Sequence, residues 1–171
     1  MKKWKFAGIN FDHMHMGDLL RMVDEHPQAE IASVFDPDRT RMEAASRQFS
    51  LPEEAIFTDM EACITTSKPD VAILCAATAE HANYVEALAG MNVHILVEKP
   101  FAATLEQADR MMAAMENTGR LMMINWPLRW VASHITAKRI IDEGAIGDVR
   151  EVHYYDGNRG PLWHGADKIE L

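Results

Sequence analysis

The stretch "DVAILCAATAEHANYVEALAGMNVHILVEKP", residues 70–100, decides the fold. Residues 70–78 are nearly continuous in apolar side chains, as in a strand buried on both faces. "EHANYVEALAG" (80–90) has the spacing of a helix and stops at Gly90, and "NVHILVEK" (92–99) is a second buried strand. A strand, a covering helix and a strand joined by short links form a crossover unit, which pairs its strands in parallel.

The same alternation extends outward in both directions. Upstream lie a strand "WKFAGIN" (4–10), a helix "HMGDLLRMVDEH" (15–26) closed by Pro27, and a strand "AEIASVFD" (29–36). A helix "DRTRMEAASRQF" (38–49), a short strand "AIFTD" (55–59) and a short helix "MEACITTS" (60–67) follow. Downstream, "TLEQADRMMAAMENTG" (104–119) is a helix with Thr104 as cap and Gly119 as stop, and "RLMMIN" (120–125) is a last strand. The fold class predicted is α/β, a doubly wound parallel Rossmann sheet over residues 1–125.

The character changes after Asn125. "VASHITAKRIIDEG" (131–144) reads as an amphipathic helix, and "DVREVHYYDG" (148–157) alternates like a strand with one apolar face. A lone strand is an unprotected edge. Residues 126–171 are therefore expected to open a second, α+β domain that is incomplete in this chain, and its edge strand leads to the expectation of a homo-oligomer.

The totals narrow the function classes. Hydrophobic residues make up 48% of 171, enough for a sizeable core, and the net charge is -9 with no Lys/Arg run. That balance argues against a nucleic-acid partner. No apolar run approaches the roughly 20 residues that cross a bilayer, and the N-terminus lacks the apolar segment of a secretory signal. A cytoplasmic protein without a membrane partner is expected, with Cys63 and Cys75 as reduced thiols in or near the core.

In open α/β sheets ligands sit outside the carboxyl ends of the strands, here "GINFDH", "FDPD", "CAATAEH", "VEKP" and "NWPLRW". The first should carry three glycines that permit the turn and the approach of a pyrophosphate. Gly8, Asn10 and His13 stand in their places. Asn tolerates positive φ, while His13 is bulkier and is expected to push the helix off the strand. Asp36 could accept hydrogen bonds from ribose hydroxyls or simply cap the next helix. As a ribose ligand it would favour NAD over NADP, with Arg39 close enough to complicate the choice. A metal reading of the first turn rests on Asp12, His13 and His15 with His81 as a third nitrogen, but no Glu-xx-His or cysteine-rich pattern accompanies them, and no metal is expected. Glu98 and Lys99 end a buried strand, where unpaired charge is costly. A partly desolvated Lys99 amine can relay a proton near neutral pH, and Pro100 allows a cis bond that redirects the chain.

Together, the Gly8 turn, "VFDPD", "AATAEHANYVEALAGMNVHILVEKPFAATLEQADRM", "NWPLRW" and "IIDEGAIGDVREVHYY" resemble the Gfo/Idh/MocA family of oxidoreductases over residues 4–157. The resemblance implies NAD(P)-dependent hydride transfer at a carbinol carbon of a sugar, cyclitol or related small molecule. It implies Gly8, Asn10 and His13 around the pyrophosphate, Asp36 on the adenosine ribose, and Thr78 and His81 beside the nicotinamide half. It puts Glu98 and Lys99 at the nicotinamide ribose and substrate hydroxyl, with Lys99 as the catalytic proton relay, and Arg129 in the substrate cleft. It implies that the domain opened by residues 126–171 serves substrate binding and dimerisation. NAD is the cofactor expected, ahead of NADP. His153, Trp163 and His164 are left between a substrate loop and surface or interface roles. The family's glycine-rich second-domain stretch, with its Asp and His near the substrate, has no counterpart here, so little turnover is expected of the chain alone. The alternative is a non-catalytic dinucleotide-binding sensor or subunit.

Overall fold

The computed structural model describes residues 2–155. Six strands form one fully parallel sheet: β1 (Trp4–Ile9), β2 (Ala29–Phe35), β3 (Ile56–Phe57), β4 (Val71–Leu74), β5 (His94–Glu98) and β6 (Met122–Asn125), in the order β3-β2-β1-β4-β5-β6. This is the doubly wound dinucleotide-type order, whose reversal between β2-β1 and β4 creates a crevice at the carboxyl ends.

Period-two alternation builds the core on both faces. Ile73 and Val34 join Met16, Leu20 and Met42 on the face covered by α1 (His15–Glu25) and α2 (Glu43–Gln48). Ala72, Leu74 and Phe35 point the other way, into a cluster with Cys63 and Ile64 of α3 (Met60–Ser67), Val85 and Leu88 of α4 (His81–Ala89) and Met111 of α5 (Leu105–Met115). Each such aliphatic side chain contributes roughly 1.5–3 kcal/mol on burial. The caps are local: Asp59 accepts from Ala62 N at 2.7 Å and Thr104 from Gln107 N at 3.1 Å.

Several boundaries differ from the sequence reading. The helix expected over 38–49 opens as a 3-10 turn (Arg39–Met42), because Asp38 caps it from Thr40 N at 3.0 Å. After α4, Gly90 keeps a helical φ of -74° and Asn92, at φ 60°, takes the left-handed conformation instead. The Lys99–Pro100 peptide is cis.

The chain divides into two compact units after Asn125. The second holds a 3-10 turn (Pro127–Trp130) and α6 (Ala132–Asp142), and none of its described residues is buried. The strand expected over 148–157 is not formed at 148–155, and 156–157 lie outside the described residues. A strand needs a neighbour's hydrogen-bonding edge, and the second unit's described residues contain no other strand.

Candidate functional site

The carboxyl ends of the strands gather polar side chains that the rest of the sheet excludes. Among the described residues the buried polar side chains are Asn10, Ser33, Asp36, His81 and Glu98, and all except Ser33 lie at or just beyond those ends.

The turn after β1 is built by close approach and one left-handed residue. A Cβ on Gly8 would lie 3.1 Å from Met16 Sδ and 3.4 Å from Leu20 Cδ2, so glycine lets α1 rest against β1. Asn10 takes φ 64°, accepts from Asp12 N at 2.7 Å through Oδ1 and donates through Nδ2 to Tyr84 Oη at 3.1 Å. His13 does not push the helix off the strand. Its main-chain N–H donates to Cys75 O at 2.9 Å, Met16 and Leu20 remain buried, and the ring turns toward His15, with centroids 4.3 Å apart.

Two carboxylates brace the loops. Asp36, without exposed surface, accepts from Phe11 N at 2.7 Å and from Asp38 N at 2.8 Å, tying the ends of β1 and β2 together. Asp12 accepts from Ala77 N at 3.1 Å and pairs with Arg41. Arg39 is turned to Glu53, at 2.5 Å.

The third cluster surrounds β5. Glu98 is 1% exposed, with Oε1 at 2.9 Å from His15 Nδ1, Oε2 accepting from Asn125 Nδ2 at 2.8 Å, and the Lys99 ammonium 3.9 Å from Oε1. A buried carboxylate thus has a cation and two hydrogen-bonding groups, which offset its desolvation. Lys99 keeps 27% of its side chain exposed. Beyond β4, Thr78 opens a 3-10 turn (Thr78–Glu80), and His81 spans two carbonyls, with Nδ1 3.1 Å from Phe101 O and Nε2 3.0 Å from Ala76 O. It is a strut joining the loops after β4 and β5.

Burial sets the thiol and phenol chemistry. It pushes Cys63 up to about 11, holds Cys75 far above the ordinary thiol range with help from the Glu98 charge, and raises Tyr84. Both cysteines are inert at neutral pH.

Gly8, Asn10, His13, Asp36, Thr78, His81, Glu98 and Lys99 all stand at one end of the sheet, as the sequence reading placed them. Arg129 belongs to the second unit, exposed in its 3-10 turn with its guanidinium 5.7 Å from the Trp130 ring centre. His153 is exposed and faces Glu151 at 2.8 Å, while Trp163 and His164 lie outside the described residues. Sequence reasoning missed Tyr84 and Asn125 and saw His15 only as a metal donor. Asn125 was visible as the last residue of a strand, but nothing in the sequence pairs it with Glu98.

The profile of the oxidoreductase family with an NAD-binding Rossmann fold, Gfo/Idh/MocA, matches residues 3–126. The chain belongs to that family. Within it, D-apiose dehydrogenase of Paraburkholderia graminis is 32% identical over 119 residues, covering 70% of this chain and 31% of that protein. The NADP(+)-dependent scyllo-inositol 2-dehydrogenase of Bacillus subtilis is 25% identical over 133 residues, covering 78% of this chain and 35% of that protein. A solved oxidoreductase from Agrobacterium radiobacter, in complex with NAD+, L-tartaric acid and magnesium, superposes with a TM-score of 0.79 at 25% identity, covering 86% of this chain and 42% of that one. The chain thus spans about a third of the curated Gfo/Idh/MocA relatives named here. Among its described residues no helix is long and apolar enough to cross a membrane.

Proposed function

We propose that this chain is the dinucleotide-binding part of an NAD(P)-dependent dehydrogenase acting on a carbinol carbon of a sugar, cyclitol or related small molecule. The observation that carries the reading is the half-buried Lys99 amine held beside buried Glu98 at the carboxyl end of β5, within a sheet of dinucleotide-binding order. The residues fit a dinucleotide. Asn10 makes the turn in glycine's place, and α1 starts just beyond it, its first N–H, that of His15, donating to His13 Nδ1 at 3.2 Å. The positive end of the helix dipole there favours an anion.

In this reading Gly8, Asn10 and His13 line the pyrophosphate, Asp36 lies at the adenosine ribose end beneath the Phe11 and Asp38 main chain that it holds, and Thr78 and His81 shape the nicotinamide side. When bound, the nicotinamide supplies the hydride chemistry. Lys99 takes or returns the substrate hydroxyl proton at Nζ. Glu98 orients that amine, and His15 and Asn125 fix Glu98 in turn. Arg129 is assigned to the substrate. NAD is favoured over NADP, because the Asp36 carboxylate repels a 2′-phosphate and the nearby guanidinium groups of Arg39 and Arg41 already face Glu53 and Asp12. The relatives' dehydrogenase names support the enzyme reading over a non-catalytic sensor. We extend it to a cytoplasmic homo-oligomer, since exposed Trp130, Ile146 and Tyr155 call for an apolar partner surface.

Titrating the chelator-treated chain with NADH and NADPH, followed by nicotinamide fluorescence, tests the reading. Saturable binding with NADH at least about tenfold tighter, a difference of ~1.4 kcal/mol, is expected. Binding of neither nucleotide would overturn it.

A further inference from the structure

We propose that His13, His15 and Glu98 form a binding site for a divalent transition-metal ion. Each of the three offers a ligand atom, and those atoms lie within 4.8 Å of one another. The backbone makes this convergence possible. On one helix, residues two apart point to different sides, but His13 lies in the turn and His15 is the first residue of α1, so the rings meet at 4.3 Å between centroids. Glu98 arrives from the end of β5 with Oε2 held by Asn125.

The donor set selects the ion. Two imidazoles and one carboxylate suit zinc or a neighbouring first-row divalent ion, whereas magnesium and calcium prefer all-oxygen sites. Three protein ligands leave a coordination position open toward a water or ligand oxygen. For the His15–Glu98 pair the spacing fits as it stands, and the His13 nitrogen lies within 4.8 Å of both donors. Two ligand atoms at about 2.0–2.1 Å from one ion, at angles between a right angle and tetrahedral, stand about 2.8–3.4 Å apart, and His15 Nδ1 is 2.9 Å from Glu98 Oε1. The ion would take the place of the hydrogen between them. Lys99, at 3.9 Å, is the competing cation, and its partly exposed side chain can swing away. Asp12 and His81, the other donors weighed from the sequence, are committed to Arg41 and Ala77 N and to two carbonyls. Glu98 is the ligand that the sequence order concealed.

The site shares His13 and Glu98 with the nucleotide reading but is carried by the converging donors alone, so its test is kept separate. The chelator-stripped chain is titrated with Co(II), followed by visible absorption, and with Zn(II) by calorimetry. One ion per chain is expected, with affinity at least about tenfold weaker in His13→Ala and in His15→Ala. Affinity should be unchanged in His26→Ala, an exposed histidine elsewhere. Glu98→Gln should weaken it too, and because that residue is buried, the two half-buried histidines keep the test decisive if Glu98→Gln fails to fold. No saturable binding, or equal binding by wild type, His13→Ala and His15→Ala, would overturn the site. NADH titration of the stripped sample is read independently, so loss of either ligand leaves the other reading standing.

Discussion

The two ends of the same six strands are built on different rules. At the carboxyl ends, Asn10, Asp36, His81 and Glu98 are buried, each held by partners on neighbouring loops, helices or strands. At the amino ends the polar contacts are exposed: Lys2 Nζ on Asp70 at 3.2 Å, Arg120 on Asn92, and His94 Nδ1 accepting from Leu121 N at 3.0 Å. A shallow cavity of about 820 Å³ opens there, lined by Trp4, Asp70, Met91 and Arg120, but no buried polar side chain serves it. Stability alone would fill both ends with apolar groups, since burying a polar group costs free energy that its hydrogen bonds only return. Concentrating that cost at one end supports the proposal that the ligand binds there.

The largest effect that would break this contrast is on turnover. Lys99→Ala in the full-length protein is expected to lower kcat about 10²–10⁴-fold, the usual range for a proton-transfer group, while NADH binding persists. Steady-state kinetics beside a nucleotide titration checks this. A kcat close to wild type would remove Lys99 from the chemistry.

Next comes stability. Asp36→Ala leaves Phe11 N and Asp38 N without their acceptor in a buried site. At about 1–3 kcal/mol for each of the two stranded donors, a loss of ~2–6 kcal/mol in urea unfolding is expected. Arg120→Ala, at the exposed amino end, should cost under about 1 kcal/mol. Equal losses at the two ends would erase the distinction.

The sequence displays the sheet more fully than the site, for a physical reason. The strand read over 70–78 from its apolar run forms at 71–74, the helix read over 60–67 forms at those residues, and both follow from a few neighbouring residues, as Thr104 announces its own cap. The site instead depends on pairings between residues far apart in the chain. His15 meets Glu98, Asn10 meets Tyr84, and Glu98 meets Asn125 only once the strand order is set. Asp36 had two readings from sequence, ribose ligand or helix cap. In the structure the cap of the following turn is Asp38, while Asp36 braces two loops. The alternating stretch after residue 148 forms no strand at 148–155, because alternation describes a strand's faces and does not supply the partner edge it needs.

A smaller effect sharpens the contrast at its hinge. Gly8→Ala brings a Cβ to 3.1 Å from Met16 Sδ, the far end of a flexible side chain. Methionine can repack, so a loss of about 1 kcal/mol is expected. Adding Met16→Ala should make the two effects non-additive, with the Gly8→Ala penalty largely gone. Additive losses in a double-mutant cycle would mean that Gly8 is needed for the turn's backbone and not for the approach of α1.

The smallest effect lies at the amino end and has a pH signature. Asp70 is held below the usual carboxylate range chiefly by the hydrogen bond from Lys5 N at 2.9 Å, with Lys2 assisting. A carboxyl whose folded pKa is depressed stabilises the protein above its unfolded value, about 3.9, and that contribution disappears as pH falls through the folded value. Asp70→Asn should therefore destabilise by under about 1 kcal/mol near neutrality, and the gap to wild type should close below about pH 4. The Lys2 part should also shrink with added salt, because that pair is solvent-exposed, whereas the Lys5 hydrogen bond should not. Urea unfolding at several pH values, at low and high salt, separates the two. A gap that widens on acidification would reverse the sign and show that Asp70 is held protonated, contrary to the contacts around it.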